Sequence, residues 1–369
     1  MPSLTRVSPA QRILMKAPLR IVSIGGGTGL STLLSGLKKH ARGALESAQA
    51  GTPAVDITAV VTVSDDGGSS GRLRRDFDIL PPGDIRNCMT ALSEDEHLLS
   101  RLFQYRFDGG RGLKGHSFGN LFLTALHQIT GDFAQAVKLS SEILAIRGRI
   151  FPATSANVTL EAVLRDGSVV SGESKISKSR TPIESIRLRP ENCDPLTDTL
   201  EAIRKADLIT LGPGSLYTSV IPNILVKGLP EAIANSAAMK IYFVNLMWQP
   251  GETINFCASA HVEAIHAHAG RKLIDCVVLN SAPIPAVLAR KYARVQVKPV
   301  ENDVEYLTGL GIKVVTADLV SDLAVAQKKI RHDPDALARV VIDLASRSRV
   351  HQVRKEALTA QGMRSKPAK

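Results

Sequence analysis

The chain has 369 residues and a net charge of +11 at neutral pH; 44% of it is hydrophobic, 22% charged and only 4% aromatic. Such a composition suits a globular chain with a sizeable core and excludes disorder as the main state. No apolar run approaches the about 18 residues of a membrane helix, the basic N-terminus lacks the apolar core of a secretory signal, and so few aromatics disfavour nucleic-acid binding by base stacking.

Residues 1–18 read as a flexible leader. A β-branched run at 20–24 feeds Gly25-Gly26-Gly27-Thr28-Gly29, and Leu30, Leu33, Leu34 and Leu37 then repeat at helical spacing. This is strand, glycine turn, helix. Residues 41–56 read as a connection. The unbroken apolar run 57–63 suits a strand covered on both faces, and Ser64-Asp65-Asp66-Gly67-Gly68-Ser69-Ser70-Gly71 follows it. Pro81-Pro82-Gly83-Asp84 starts a helix with Asp84 as its expected N-cap, and helical patterning continues to about residue 107.

After a glycine-rich loop at 108–115, Ser117 can cap a helix whose face is Phe118, Leu121, Phe122, Ala125, Leu126 and Ile129. Alternating segments around Asp166-Gly167 read as a β-hairpin. Strands are expected at 207–211, 240–246 and 275–279, with helical stretches between them. The alternation predicts an α/β fold: a Rossmann-like, mostly parallel sheet with flanking helices, a helical lobe and a hairpin insertion. The expected body spans 19–346. Residues 347–369, seven basic against one acidic, are expected to be a flexible tail, whose simplest role is solvation. Cys88, Cys193, Cys257 and Cys276 include no CxxC pair and suit free thiols in a reducing cytoplasm.

Ligands of an open parallel sheet lie at the carboxyl ends of its strands. Here those ends carry 25–29, 64–71, 212–219 (Gly212-Pro213-Gly214-Ser215-Leu216-Tyr217-Thr218-Ser219) and 249–253 (Gln249-Pro250-Gly251-Glu252-Thr253). Glycine amides, hydroxyls and helix N-termini together suit a phosphate-bearing ligand, most simply a nucleotide. The first loop is neither standard motif: Leu30 stands where GxGxxG needs glycine, and no lysine completes a P-loop. Asp65 and Asp66 can hold Mg²⁺, bond a sugar or act as a base. Gly115-His116-Ser117-Phe118-Gly119 matches GxSxG without the strand a nucleophile elbow needs, so it reads as a polar helix start with His116 and Asn120 toward a ligand. His261, His266 and His268 read as packing or surface residues, not a metal site.

Together 24–31, 65–74, 81–87, 115–121, 212–223 and 249–253 closely resemble the bacterial gluconeogenesis factor family (YvcK-like), which is related to 2-phospho-L-lactate transferase (CofD-like). The resemblance implies a cytoplasmic regulatory protein that binds a UDP-sugar, UDP-N-acetylglucosamine above all, and affects cell shape and wall-precursor metabolism. It implies protein partners, with homo-oligomers an open possibility, and no membrane or nucleic-acid role. The alternative it leaves open is an Mg²⁺-dependent transferase.

The ligand contacts it implies are Gly25, Gly26, Gly27, Thr28, Gly29, Asp65, Asp66, Asn87, His116, Ser117, Asn120, Gly212, Pro213, Gly214, Ser215, Tyr217 and Thr218. It adds Tyr292 to stack on uracil and Arg331 for the diphosphate. No catalytic residue follows from it, and any metal would fall on Asp65 and Asp66. Trp248 departs from the family pattern, which has a small polar residue there.

Overall fold

The structure, a computed structural model, describes residues 17–41, 53–93 and 98–364. Ten strands follow in chain order: β1 (Leu19–Gly25), β2 (Val55–Val61), β3 (Arg149–Pro152), β4 (Thr159–Leu164), β5 (Val169–Ser171), β6 (Ile183–Arg189), β7 (Leu208–Leu211), β8 (Met239–Phe243), β9 (Cys276–Asn280) and β10 (Lys313–Ala317). Seven of them form one parallel sheet in the order β10-β9-β8-β7-β1-β2-β3. Its central strands are apolar throughout because helices cover both faces: all four residues of β7 are buried, as are six of the seven in β1.

Leu30, Leu33, Leu34 and Leu37 of helix Gly27–Lys38 are fully buried. That helix packs against Gly83–Leu92 and the C-terminal helix Pro334–Arg364. A side chain at Gly36 would stand 1.9 Å from the Pro334 carbonyl, so only glycine lets the two helices meet there. The chain between β2 and β3 forms the helical lobe, with Phe103, Phe118 and Phe122 in its interior. Ser117 caps helix Phe118–Thr130 as expected, accepting the Asn120 N–H at 3.2 Å.

The insertion is a separate antiparallel sheet, β5-β4-β6, with Gly167 at φ +82° in the β4–β5 turn. Its edge strand β5 is shorter than the alternation suggests: after Ser171 the chain turns at Gly172 into a short helix, Glu173–Ile176. β3, β6 and β10 carry no sequence-based expectation. The first has four residues, and the last is an edge strand with no fully buried residue. Two further expectations are corrected. Pro82, not Asp84, is the N-cap of helix Gly83–Leu92; Asp84 lies in its first turn and is buried by the glycine loop. The 84–107 pattern is two helices, Gly83–Leu92 and Leu98–Gln104.

The tail boundary at 347 is also corrected. Helix Pro334–Arg364 runs through it, and Arg349 and Val353 are buried. The Arg349 guanidinium bonds the Asp207 carboxylate and the backbone oxygens of Ala17 and Pro18, while Arg20 takes the other Asp207 oxygen at 3.1 Å. Burial pushes the Asp207 carboxyl up, yet its bonds to Arg20 and Arg349 hold it below its usual value. A charge of the presumed tail thus closes the body. The proposed leader lies outside the described residues except for Ala17 and Pro18.

Removing Arg349 takes away the buried partner of Asp207 and leaves it only the half-exposed Arg20, so Arg349→Ala should cost about 3 kcal/mol and lower the thermal midpoint by several degrees. Arg347→Ala, which breaks an exposed i,i+4 pair with Asp343, should change stability by less than about 0.5 kcal/mol. Paired thermal melts of the two variants check this.

Candidate functional site

From β1 the chain fills one side of the sheet with β2 and β3, then returns to lay β7 against β1's other edge. The strand order reverses there, so a crevice opens between the carboxyl ends of β1 and β7. The 25–29 loop leaves one strand and the 212–215 loop the other. The two backbones almost touch: a Cβ on Gly29 would lie 2.3 Å from the Pro213 oxygen. A Cβ on Gly26 would lie 2.6 Å from Asp84 Oδ2 and 2.7 Å from Thr62 Cγ2. Gly27, at φ +61°, opens the helix Gly27–Lys38, which has neither a side-chain cap nor an acid in its first turn. Its first amide, Gly27, goes to Asp84, and the dipole of the helix start favours an anion.

The crevice is a cleft of about 330 Å³. Gly26, Gly27, Thr28 and Gly29 line one wall and Pro213, Gly214 and Ser215 another. Gly25 and Gly212 sit behind them, where β1 and β7 pack together. The third wall comes from the segment after β8, including Trp248 and Gln249. Gln249 Nε2 donates to Ser215 Oγ at 2.7 Å and Asn245 Nδ2 to Gln249 Oε1 at 2.9 Å, bracing the two loops. Arg331 reaches the cleft from 303 residues away, donating to Thr28 Oγ1 at 3.0 Å. Tyr292 is not among the lining residues. Its hydroxyl accepts the Ile330 N–H at 3.3 Å, which places it behind Arg331 as a support.

Tyr217 and Thr218 are likewise turned from the cleft. Buried Glu252 accepts the Tyr217 N–H and the Thr218 hydroxyl, each at 3.0 Å. Burial pushes this carboxyl up to about 7 against those two bonds. The Tyr217 ring packs edge-on against Phe256 and His268, and burial raises its hydroxyl to about 12. Both residues therefore shape the 212–219 loop from behind.

A group of carboxyls borders the cleft. Asp65 Oδ1 accepts the Gly67 N–H at 2.8 Å; Asp66 Oδ1 accepts the Ser174 N–H at 2.8 Å. The adjacent acids thus engage different partners and form no common chelating face. Asp65 instead approaches Gly83, where a Cβ would lie 2.6 Å from its Oδ2, and shares a side-chain hydrogen bond with Glu173. Glu173 lines the cleft. Its carboxyl is pushed far up by burial and by the charges of Asp65 and Asp84. Asp84 is raised to about 7 by burial and by Asp65, against a hydrogen bond from the Gly27 amide. Like charges this close cannot all ionise, so the group keeps a proton near neutral pH. Among the described residues no three or more His, Cys, Asp or Glu are arranged to hold a metal ion.

The remaining expected residues lie on the helical lobe, outside the cleft lining. Ser69 Oγ bonds His116 Nδ1 at 2.9 Å and accepts Asn120 Nδ2 at 3.1 Å. Burial and Arg72 lower the His116 pKa. Ser117 is fully buried as a cap, which rules out a nucleophile there. Asn87 accepts from Arg86 at 2.6 Å. His261 faces the Cys257 carbonyl, while His266 and His268 accept the Ile274 and Ile186 N–H groups, so all three have packing roles.

Glu173, the carboxyl of Asp84 and the bracing role of Glu252 escape the sequence reading. The loop before Glu252 was visible, as was Asp84. Glu173 had no signal, because it reaches Asp65 only through the folding of the hairpin.

The profile of the family described as 2-phospho-L-lactate transferase CofD matches residues 21–320. A gluconeogenesis factor of Bacillus subtilis is 47% identical over 325 residues, 88% of this chain and 98% of that protein. A putative gluconeogenesis factor of Aquifex aeolicus is 44% identical over 88% of this chain and 96% of its own length. A crystal structure of a UPF0052-family protein from Bacillus halodurans superposes with a TM-score of 0.81 at 44% identity, covering 88% of this chain and 99% of that one.

Burial of Asp84 penalises folding only where the unfolded carboxyl would ionise. The penalty is absent below pH 4, grows as pH rises and levels off above about 7. Asparagine can still accept the Gly27 N–H. The stability of Asp84→Asn relative to wild type should therefore climb by up to roughly 4 kcal/mol between pH 4 and 7, then stay flat. Denaturant titrations of both proteins across that range measure it.

Proposed function

Since the chain belongs to the 2-phospho-L-lactate transferase CofD family, with relatives named gluconeogenesis factor across most of its length, we propose that its cleft binds a nucleotide-sugar, UDP-N-acetylglucosamine, and that it acts as a regulator. The observation that carries the reading is the pair of glycine loops held in backbone contact at the β1–β7 crossover, with Arg331 bonded across to Thr28. A diphosphate suits this place: the uncapped helix start supplies backbone donors and Arg331 a cation. Hydroxyl-bearing rings suit the Ser215, Asn245 and Gln249 side chains.

A regulatory role draws support from the chemistry of the neighbouring groups. Ser117 is a buried cap, and the carboxyl cluster stores a proton. On this reading the protein works in the cytoplasm, reports the supply of wall precursors to protein partners and so affects cell shape.

A second reading is a transferase like the one for which the family is named. The acids Asp65, Asp84 and Glu173 beside the glycine loop are the observation on its side, and a cation recruited there together with the phosphates would neutralise their charge, since the three are not arranged to hold a metal ion on their own. Asp66, turned toward Ser174, would stand outside that group.

Calorimetry should give micromolar-range binding of UDP-N-acetylglucosamine, unaffected by EDTA. Arg331→Ala should weaken it at least about tenfold, because a charge-assisted phosphate bond is lost. Wild-type protein indifferent to UDP-sugars would end the first reading. Binding that requires Mg²⁺ and fails in Asp65→Asn would favour the second.

A further inference from the structure

The chain's only tryptophan, Trp248, lines the cleft, and its anchoring restricts what it can offer a ligand. Its backbone N–H donates to the Lys298 carbonyl at 2.9 Å. Its indole N–H, the one polar atom of the side chain, donates to the Phe256 carbonyl at 2.9 Å. The Lys298 ammonium stands 5.7 Å from the ring centroid. The ring is thus fixed at its backbone, along its edge and by a cation, while remaining half-buried. With its donor spent, it gives the cleft only carbon and π surface.

Apart from Lys298 and Arg331, the polar side chains that share the cleft with it include hydroxyl, amide and carboxyl groups. Ser215 accepts from Gln249 and keeps its own proton to donate. Asn245 donates one amide hydrogen to Gln249 and keeps the other and its oxygen. Glu173 closes the cleft on another side as a carboxyl that holds a proton. An aromatic plane beside isolated hydroxyl, amide and carboxyl groups matches a pyranose: C–H groups on its face, hydroxyls around its rim. Gln249 gives one amide hydrogen to Ser215 and accepts one from Asn245, and the donor and acceptor capacity it keeps suits the separate hydroxyls of a sugar ring.

Resting on the nucleotide-sugar reading above, we propose that Trp248 is the platform on which the sugar ring of the ligand stacks, and that it makes the cleft discriminate a glycosylated nucleotide from the free nucleoside diphosphate.

The test uses the full chain, with UDP-N-acetylglucosamine, UDP and N-acetylglucosamine 1-phosphate as probes. A single tryptophan makes its emission a direct reporter. UDP-N-acetylglucosamine should shift or quench that emission strongly, and UDP should do so weakly. By calorimetry, Trp248→Leu should lose at least about tenfold in affinity for UDP-N-acetylglucosamine and less than about twofold for UDP, while Trp248→Phe stays within about threefold for both. Equal losses for both nucleotides, no loss for either, or emission that answers UDP as strongly as its glycosylated form would overturn the proposal. Should Trp248→Leu lose its thermal transition, the Phe variant and the wild-type emission still decide. Wild-type protein that binds neither nucleotide would remove the underlying reading instead, a result distinct from binding that ignores Trp248.

Discussion

The backbone of Gly29 lies against the backbone of Pro213, and most of the cleft follows from that approach. It ties the loop after β1 to the loop after β7, two segments of sequence far apart that the strand order makes neighbours. No side chain fits between them. The contact therefore fixes the start of helix Gly27–Lys38 relative to Ser215, and that start, whose Gly27 amide goes to Asp84, lines the cleft without a side-chain cap from its N-cap residue. Such a gap lined by backbone donors is what a phosphate requires and what an ordinary turn has no reason to build.

Two other parts of the molecule answer to this contact. The C-terminal segment reaches it because Gly36 lets Pro334 lie directly on helix Gly27–Lys38, which brings Arg331 to Thr28. Helix Pro334–Arg364 then runs on to Arg349, whose bonds to Asp207 and to the residues before β1 anchor it at the opposite end of the sheet. The helical lobe reaches the contact through Asp84, whose carboxyl takes the Gly27 amide at a cost in burial energy. Burial raises both Asp84 and Glu173, so a proton held there lessens that cost, and it leaves beside the cleft a group whose charge a ligand can change.

Much of this was legible in the sequence, for identifiable reasons. The β-branched run 20–24 leading into glycines reads as a strand and turn, and the Leu30–Leu37 spacing marks the helix. Ser117 followed by an apolar stripe gave a capped helix. Residues whose roles depend on distant chain were less visible. Nothing near Tyr217 or Thr218 signals that Glu252 holds them from behind, or that Phe256 and His268 receive the tyrosine ring. Tyr292 was recognisable by resemblance, but its support of Ile330 depends on how helix Ala286–Ala293 packs. The charge run beyond residue 347 looked solvated because composition cannot reveal that Asp207 is buried and waiting for Arg349.

A β1–β7 cleft that receives a UDP-sugar and is closed by Arg331, as proposed above, should gain protection when the ligand binds. Amide hydrogen exchange with and without UDP-N-acetylglucosamine measures this. Slowed exchange is expected in residues 26–32, 213–219 and 330–332, with the edge strand β3 and the outer helix Phe133–Ile143 unchanged. Saturating ligand that leaves the two glycine loops unprotected, or protects a different face of the sheet, would contradict it.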